Sequence, residues 1–347
     1  MYFKLNNSCF IKNGENGSVL YDLAKNDLVE LDSDETKLLL LADSGVKLTG
    51  NEEKFGLLKA LEEMGYGFFS EHNYFVDKLR PYNKFSLTRP DLFPLNPTTA
   101  YLQLTNQCRL GAEFCSKRFC SPCMCDENEI SLKLDEWKNV VDSLIEFGTK
   151  VFVLTGGNVL MYSELQGLAD YIRKSGANVS ILINEIDDRI YQLDKSMQII
   201  CNQCNFEYSD EQLSELIDYF PNLTVMSTHD PKIEKDKLIK ITSEYKIEKE
   251  NFAKPDIEKY YLRKDRDLCL TGKIFITSSG NIVPCFTMKN KIIGNVLHEN
   301  IKKLIKSLAE RHWNMHSENY KKCADCKWFY ACNSCQAFDA EKNCGIN

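Results

Sequence analysis

Cys323-Ala-Asp-Cys326-Lys-Trp-Phe-Tyr-Ala-Cys332-Asn-Ser-Cys335, with Cys344 beyond it, is the stretch that orients everything else in this chain. Its C-x2-C-x5-C-x2-C spacing brings thiolates close enough to share a soft metal centre. Upstream stand Cys269 and Cys285, the latter closing Gly280-Asn-Ile-Val-Pro-Cys285. Lys273 to Thr277 and Ile282 to Cys285 flank Ser278-Ser-Gly-Asn281 and read as a hairpin, and a helix is expected near Glu299 to Glu310. Two C-x2-C pairs are also found in zinc ribbons, but one zinc takes four ligands. The seven thiols from Cys269 to Cys344 suit two iron–sulfur clusters better.

The whole chain has 347 residues and fifteen cysteines. A second group, Cys108, Cys115, Cys120, Cys123 and Cys125, lies nearer the middle. The start, MYFKLNNSCF, lacks the apolar stretch of a signal peptide, and the densest apolar run, Leu38 to Ala42, is far too short to span a bilayer. The expected location is therefore cytoplasmic, where grouped cysteines mean metal rather than disulfides. Hydrophobic residues make up 43%, enough to bury a sizeable core, and the net charge is -7. That charge argues against a general nucleic-acid or anionic-membrane binder.

Working outward from the tail, residues 99–264 alternate strand and helix. Strands are expected at Ala100 to Thr105, Lys150 to Leu154, Asn178 to Ile183, Met197 to Cys201, Leu223 to Ser227 and Tyr245 to Glu248. Helices are expected at Asp135 to Phe147, Ser163 to Lys174 and Asp210 to Tyr219. Repeated βα units give an α/β fold with a parallel sheet, open and doubly wound or closed as a partial barrel. In either form, chemistry belongs at the C-terminal ends of the strands.

Residues 1–85 read as a separate small domain: β-like runs at Ser18 to Leu23 and Leu28 to Leu31, two helices, then β-like runs at Gly67 to Phe69 and Asn73 to Val76. The first helix starts near Asp32-Ser33; the second has Asn51 as N-cap and Gly65 past its end. The order is winged-helix-like, but Glu52, Glu53, Glu62 and Glu63 on the second helix would repel phosphate. Pro81, Pro90, Pro94 and Pro97 punctuate the chain here, and residues 86–98 are read as a Pro-rich linker.

The tail, residues 265–347, resembles a SPASM domain, the auxiliary-cluster module of radical SAM peptide maturases. The pattern of that family is a cysteine, a glycine, a cysteine, then C-x2-C-x5-C-x3-C and a final cysteine. All these positions are matched here, with Cys332 to Cys335 one residue shorter. The resemblance implies 4Fe-4S clusters, two of them in the tail: Cys323, Cys326, Cys332 and Cys344 for one, Cys269, Cys285 and Cys335 for the other.

The centre is similar to the radical SAM partial (β/α)6 barrel. Tyr101-Leu-Gln-Leu-Thr-Asn-Gln-Cys108 looks like the first strand of that barrel running into its cluster loop. The family has C-x3-C-x2-C there; Cys108 and Cys115 match the outer positions and Ala112 stands at the middle one. Alanine cannot ligate iron, though Cys120, Cys123 and Cys125 are near enough to complete a site. Val153-Leu-Thr-Gly156-Gly157-Asn158 matches the Gly-Gly-Glu-Pro motif, whose glutamate pairs with the ammonium of S-adenosylmethionine (SAM), so Gly156, Gly157 and Asn158 are the implied cofactor-binding residues. Asn158 is neutral, and SAM binding is the one implied property that Ala112 and Asn158 both oppose. Ala112 is either an engineered knockout or part of a natural pseudo-radical-SAM protein; Asn158, an independent departure, favours the second. Residues 1–85 resemble the element that binds leader peptides in ribosomal peptide pathways.

The expectation is an iron–sulfur protein of ribosomal peptide maturation with an impaired SAM site, whose partners are a precursor peptide or a partner maturase. The alternatives are an active maturase with atypical ligands and a zinc-stabilised binding module. Weaker candidates are Cys201-Asn-Gln-Cys204 at a strand end, His229-Asp230, read as a turn, and His312 and His316, read as surface residues.

Overall fold

The computed structural model describes residues 1–49, 55–80, 96–108, 131–202, 209–227, 231–240, 252–267, 269–314 and 321–332. The chain forms two compact units: Met1–Leu92 with Lys246–Cys269 and Met315–Asn347, and Phe93–Tyr245 with Leu270–Asn314.

In the first unit, β1 (Tyr2–Leu5) pairs antiparallel with β5 (Gly67–Ser70). A three-stranded antiparallel meander follows β1 in sequence: β2 (Cys9–Gly14), β3 (Gly17–Asp22) and β4 (Asp27–Leu31). Helices α1 (Ser33–Asp43) and α2 (Gly56–Glu63) come next. Asp32 caps α1 as expected: its carboxylate accepts from the Asp34 and Glu35 amides at 2.8 Å, and Glu35 accepts from the Asp32 amide. The expected cap Asn51 lies outside the described residues.

Every residue of β3 is buried. Alternate side chains leave a strand on opposite faces, and here both faces are covered. Leu20 enters a core with Phe3, Leu5, Leu31, Leu39, Leu58 and Leu61. Val19, Tyr21 and Leu23 enter a second core with Tyr260, Trp328 and Ala331. That double burial explains the unbroken apolar run Val19-Leu-Tyr21 in an antiparallel strand. The strand expected at 73–76 does not form: the segment joins no sheet, and Phe75 is 90% exposed. Its apolar residues have no core to face.

In the second unit, β6 (Thr99–Gln103), β7 (Val151–Thr155), β8 (Asn178–Ile183), β9 (Gln198–Asn202), β10 (Leu223–Ser227) and β11 (Leu238–Lys240) lie side by side, all parallel, in chain order. From β6 to β11 the strands keep one winding direction, the order a partial (β/α)6 barrel uses, whereas a doubly wound sheet reverses among its βα units. Helices α3 (Leu134–Glu146), α4 (Leu165–Lys174) and α5 (Asp210–Tyr219) connect successive strands. On α3, Trp137, Val140, Val141 and Leu144 are buried, the spacing of one helical face. The sixth strand is β11, seven residues ahead of its expected start at Tyr245, a residue outside those described. On the other side of β6, β12 (Lys273–Ile276) pairs in parallel, and β13 (Asn281–Val283) and β14 (Gly294–Asn295) follow antiparallel, which is the expected hairpin with one further short strand. Among the described residues, no helix is long and apolar enough to cross a membrane.

Candidate functional site

Apolar residues line the sheet of the second unit until the C-terminal ends of its strands, where buried polar side chains take over: Gln103, Thr105, Thr155, Asn158, Asn184, Asn202 and Ser227. Buried polar groups cost stability unless hydrogen-bonded, and the asparagines among them are bonded. Asn184, after β8, donates from Nδ2 to the carbonyls of Gly156 at 2.8 Å and Gly157 at 3.1 Å. Its Oδ1 accepts from Asn202 Nδ2, at the end of β9, at 2.9 Å.

The Gly-Gly pair has a steric cause. The backbone after β6 crosses directly over it: Gly157 N–H donates to Thr105 C=O at 2.9 Å and Asn158 N–H to Gln107 C=O at 2.7 Å. A Cβ at residue 156 would stand 2.7 Å from the Thr105 oxygen. One at residue 157 would stand 2.5 Å from the Gln107 oxygen and 2.6 Å from Cys108 Cβ. Glycine alone permits this approach, which sets half-buried Cys108 beside Gly157.

Asn158 is 1% exposed and engaged at both ends of its amide. Oδ1 accepts from Leu160 N–H at 3.1 Å, capping a short 3-10 turn. Nδ2 donates to Asp187 Oδ2 at 2.9 Å and Glu185 Oε2 at 3.3 Å. Asp187 is also gripped by both arms of the Arg189 guanidinium, at 2.6 and 3.0 Å. Burial pushes the Asp187 carboxyl up, but the hydrogen bonds from Arg189 and Asn158 outweigh it and hold it below the usual carboxylate range. A carboxylate at position 158 would face two others at hydrogen-bond distance. The surroundings of residue 158 are thus matched to a neutral donor.

Asn184, Glu185, Asp187 and Asn202 were not among the candidates drawn from sequence. The available signal was position: Asn184-Glu185 ends the apolar run Ile181-Leu-Ile183 just as Gly156 ends β7.

Of the tail thiols, Cys323, Cys326 and Cys332 belong to the first unit. Cys323, Cys326 and Cys332 are all half-buried on one short loop. Cys326 N–H donates to Cys323 C=O at 3.2 Å, Phe329 N–H to Cys326 C=O at 3.2 Å and Cys332 N–H to Trp328 C=O at 2.9 Å. Cys326 packs against the core of Val19, Tyr21, Tyr260 and Trp328. An all-thiolate donor set on a tightly turned, half-buried loop suits an iron–sulfur cluster. Among the described residues, no three Cys, His, Asp or Glu side chains converge as a complete cage. Cys335 and Cys344 lie outside those residues, as do Cys115, Cys120, Cys123, Cys125, Cys204, Ala112, His229, Asp230 and His316. Cys269, in the first unit, is exposed, and Cys285, in the second, is half-buried. Cys201 is buried at the end of β9. His312, expected on the surface, is 8% exposed: it sits in a π-helical turn, Ala309–Trp313, that rolls it inward.

Residues 269–327 match the SPASM family, an iron–sulfur cluster-binding domain. No curated protein matches the sequence. Among solved structures, Streptococcus suis SuiB bound to precursor peptide SuiA is 16% identical, with 96% of each chain covered and a TM-score of 0.45. SuiB bound to S-adenosylmethionine is 15% identical over 96% of each chain, with a TM-score of 0.44. The histidine-tagged anSMEcpe with bound AdoMet is 15% identical over 70% of this chain and 86% of that one, with a TM-score of 0.44. These are likenesses in outline. It is the domain match that makes residues 269–327 similar to a SPASM iron–sulfur cluster-binding domain.

Proposed function

We propose that this chain, with its SPASM iron–sulfur cluster-binding domain, is a radical-SAM-type protein of ribosomal peptide maturation whose SAM site is impaired. In this reading it binds a precursor peptide or assists a partner maturase. Cys323, Cys326, Cys332 and Cys344 hold one auxiliary cluster. The three-stranded sheet β2-β3-β4, with edges at β2 and β4, takes an extended peptide as an added strand.

One observation carries the impairment: the Asn158 amide is buried and spent on Asp187, Glu185 and the Leu160 amide. Neighbouring groups are matched to the asparagine, which is the mark of an adapted site rather than of a single disabling change. Ala112, with no thiol to offer, acts in the same direction. Charge-assisted hydrogen bonds are roughly twice as strong as neutral ones, so a cofactor ammonium finds a much weaker partner at residue 158 than a glutamate would give.

The test is anaerobic incubation of the purified chain with SAM and a strong reductant, following 5′-deoxyadenosine. None is expected above background. Formation at rates normal for an active maturase would overturn the proposal. Restoring cysteine at residue 112 is expected to leave the chain silent; recovered cleavage would mean that Ala112 alone disabled a working enzyme.

A further inference from the structure

We infer that the N-terminal hairpin β2–β3 is the positioning platform of the tail cysteine loop, so that cluster loading and the order of the N-terminal sheet are one coupled equilibrium. The inference rests on the reading that the tail thiols hold a cluster. Its physical basis is a set of contacts between residues some three hundred positions apart in sequence.

The loop offers little of its own to define a shape. Among its described residues, the only regular element is the single turn Lys321–Ala324. The hairpin supplies the rest. Lys12 Nζ donates to Ala324 C=O at 2.5 Å, between Cys323 and Cys326. Tyr21 Oη donates to Lys327 C=O at 2.8 Å, immediately after Cys326. Cys326 is therefore bracketed by two carbonyls, each held by a side chain of the hairpin. Lys327 returns the contact: its Nζ donates to Asn16 C=O in the hairpin turn at 2.7 Å and pairs with Glu30 of β4 at 3.0 Å. The Lys327 side chain is only 12% exposed, with its partner Glu30 at 39% on the solvent side.

The surfaces also touch. A Cβ on Gly14 would stand 2.9 Å from the Lys327 nitrogen and 3.2 Å from the Asp325 oxygen. Position 14 must be glycine for the loop to lie where it does. Trp328 and Ala331 complete the interlock by entering the core shared with Val19, Tyr21 and Leu23.

Groups that orient a metal's ligands tune how tightly the metal is held. Coupling of this kind is reciprocal: what the hairpin does for the loop, an occupied loop does for the hairpin. Since β2–β4 is the sheet proposed to take the peptide, loss of the cluster would also weaken peptide capture.

The experiment uses the full chain purified without oxygen. Iron and acid-labile sulfide per chain, the electron paramagnetic resonance spectrum of the reduced protein, and amide hydrogen exchange over residues 9–31 are measured together. Cys323→Ala/Cys326→Ala is expected to lose iron and raise exchange over residues 9–31 at least about tenfold. Gly14→Val is expected to lower iron content and shift the spectrum. Lys327→Met, which keeps the packed stem and removes only the charged contacts, is expected to shift the spectrum in the same sense by less, and Lys327→Arg to restore it. If the double cysteine variant loses iron while exchange over 9–31 stays as in the parent, the coupling is wrong and the cluster reading stands. If that variant keeps all its iron, tail ligation is wrong and the inference falls with it. A parental spectrum in Lys327→Met would likewise overturn the platform role.

Discussion

The strand-end site of the second unit and the cysteine loop of the first reach definition by opposite routes. The strand-end site is held by backbone. Parallel strands bring Thr105, Gln107, Gly156 and Gly157 to fixed places, and buried amides, Asn184 and Asn202, tie the ends together. The described residues of the cysteine loop have almost no secondary structure and borrow their shape from an aromatic core and from side chains of the N-terminal hairpin. The described part of a site of the first kind is fixed by strand pairing and buried amides. One of the second kind depends on its supports and, in the proposed reading, on the cluster it would hold. Changes near the strand ends should therefore act locally, and changes around the loop should propagate through their unit.

The largest effect that sharpens this contrast is expected from Trp328→Ala. Trp328 is 5% exposed in the core that joins β3 to the tail. Removing a buried tryptophan costs about 3–5 kcal/mol. Amide exchange should rise across β2–β4 and leave β6–β10 protected. Equal loss of protection in both units would break the comparison.

A smaller and strictly local effect is expected from Asn158→Glu. It places a third carboxylate against Asp187 and Glu185 and removes the cap on Leu160. Leaving such buried polar groups unsatisfied costs about 1–3 kcal/mol. Adding Glu185→Gln should recover part of that in denaturant titrations. If the double variant is no more stable than Asn158→Glu alone, the carboxylate pair does not dictate the residue at 158.

The smallest effect is a pH dependence. The Asp187 carboxyl is held below its usual value in the folded chain. A depressed carboxyl contributes stability that is fully present above its unfolded pKa, about 3.9, and is lost as pH falls through the lower folded value. The stability gap between the parent and Asp187→Asn should be constant near neutrality and close as pH drops below about 4. A gap that stays open in acid would mean that packing, not charge, makes Asp187 matter.

Much of this molecule is written in local pattern. The βα alternation from Ala100 to Ser227, the cap at Asp32 and the hairpin around Gly280 all formed where their residues announced them, because periodicity and turn chemistry act over a few positions. The spacing of Cys323, Cys326 and Cys332 likewise pointed to metal without any knowledge of shape, and the iron–sulfur family match over residues 269–327 includes the first two. Gly156-Gly157-Asn158 was legible as a motif at a strand end. What Asn158 does there was not. Its partners Glu185 and Asp187 follow the next strand, and only the parallel pairing of β7 with β8 brings them within reach.

The same holds more strongly for the cysteine loop. Residues 1–85 read as a domain apart, and nothing in their periodicity connects Lys12 to Ala324, 312 positions away. The run Ser18 to Leu23 read only as β-like, and its burial on both faces came from the fold. Thus the sequence by itself determined the elements and the chemistry of the donors, since both depend on neighbours along the chain. Only the tertiary structure decided which face of β3 meets Trp328 and which carboxylates meet Asn158. Those contacts close long loops, and their selection depends on complementary burial across the whole unit rather than on any local preference.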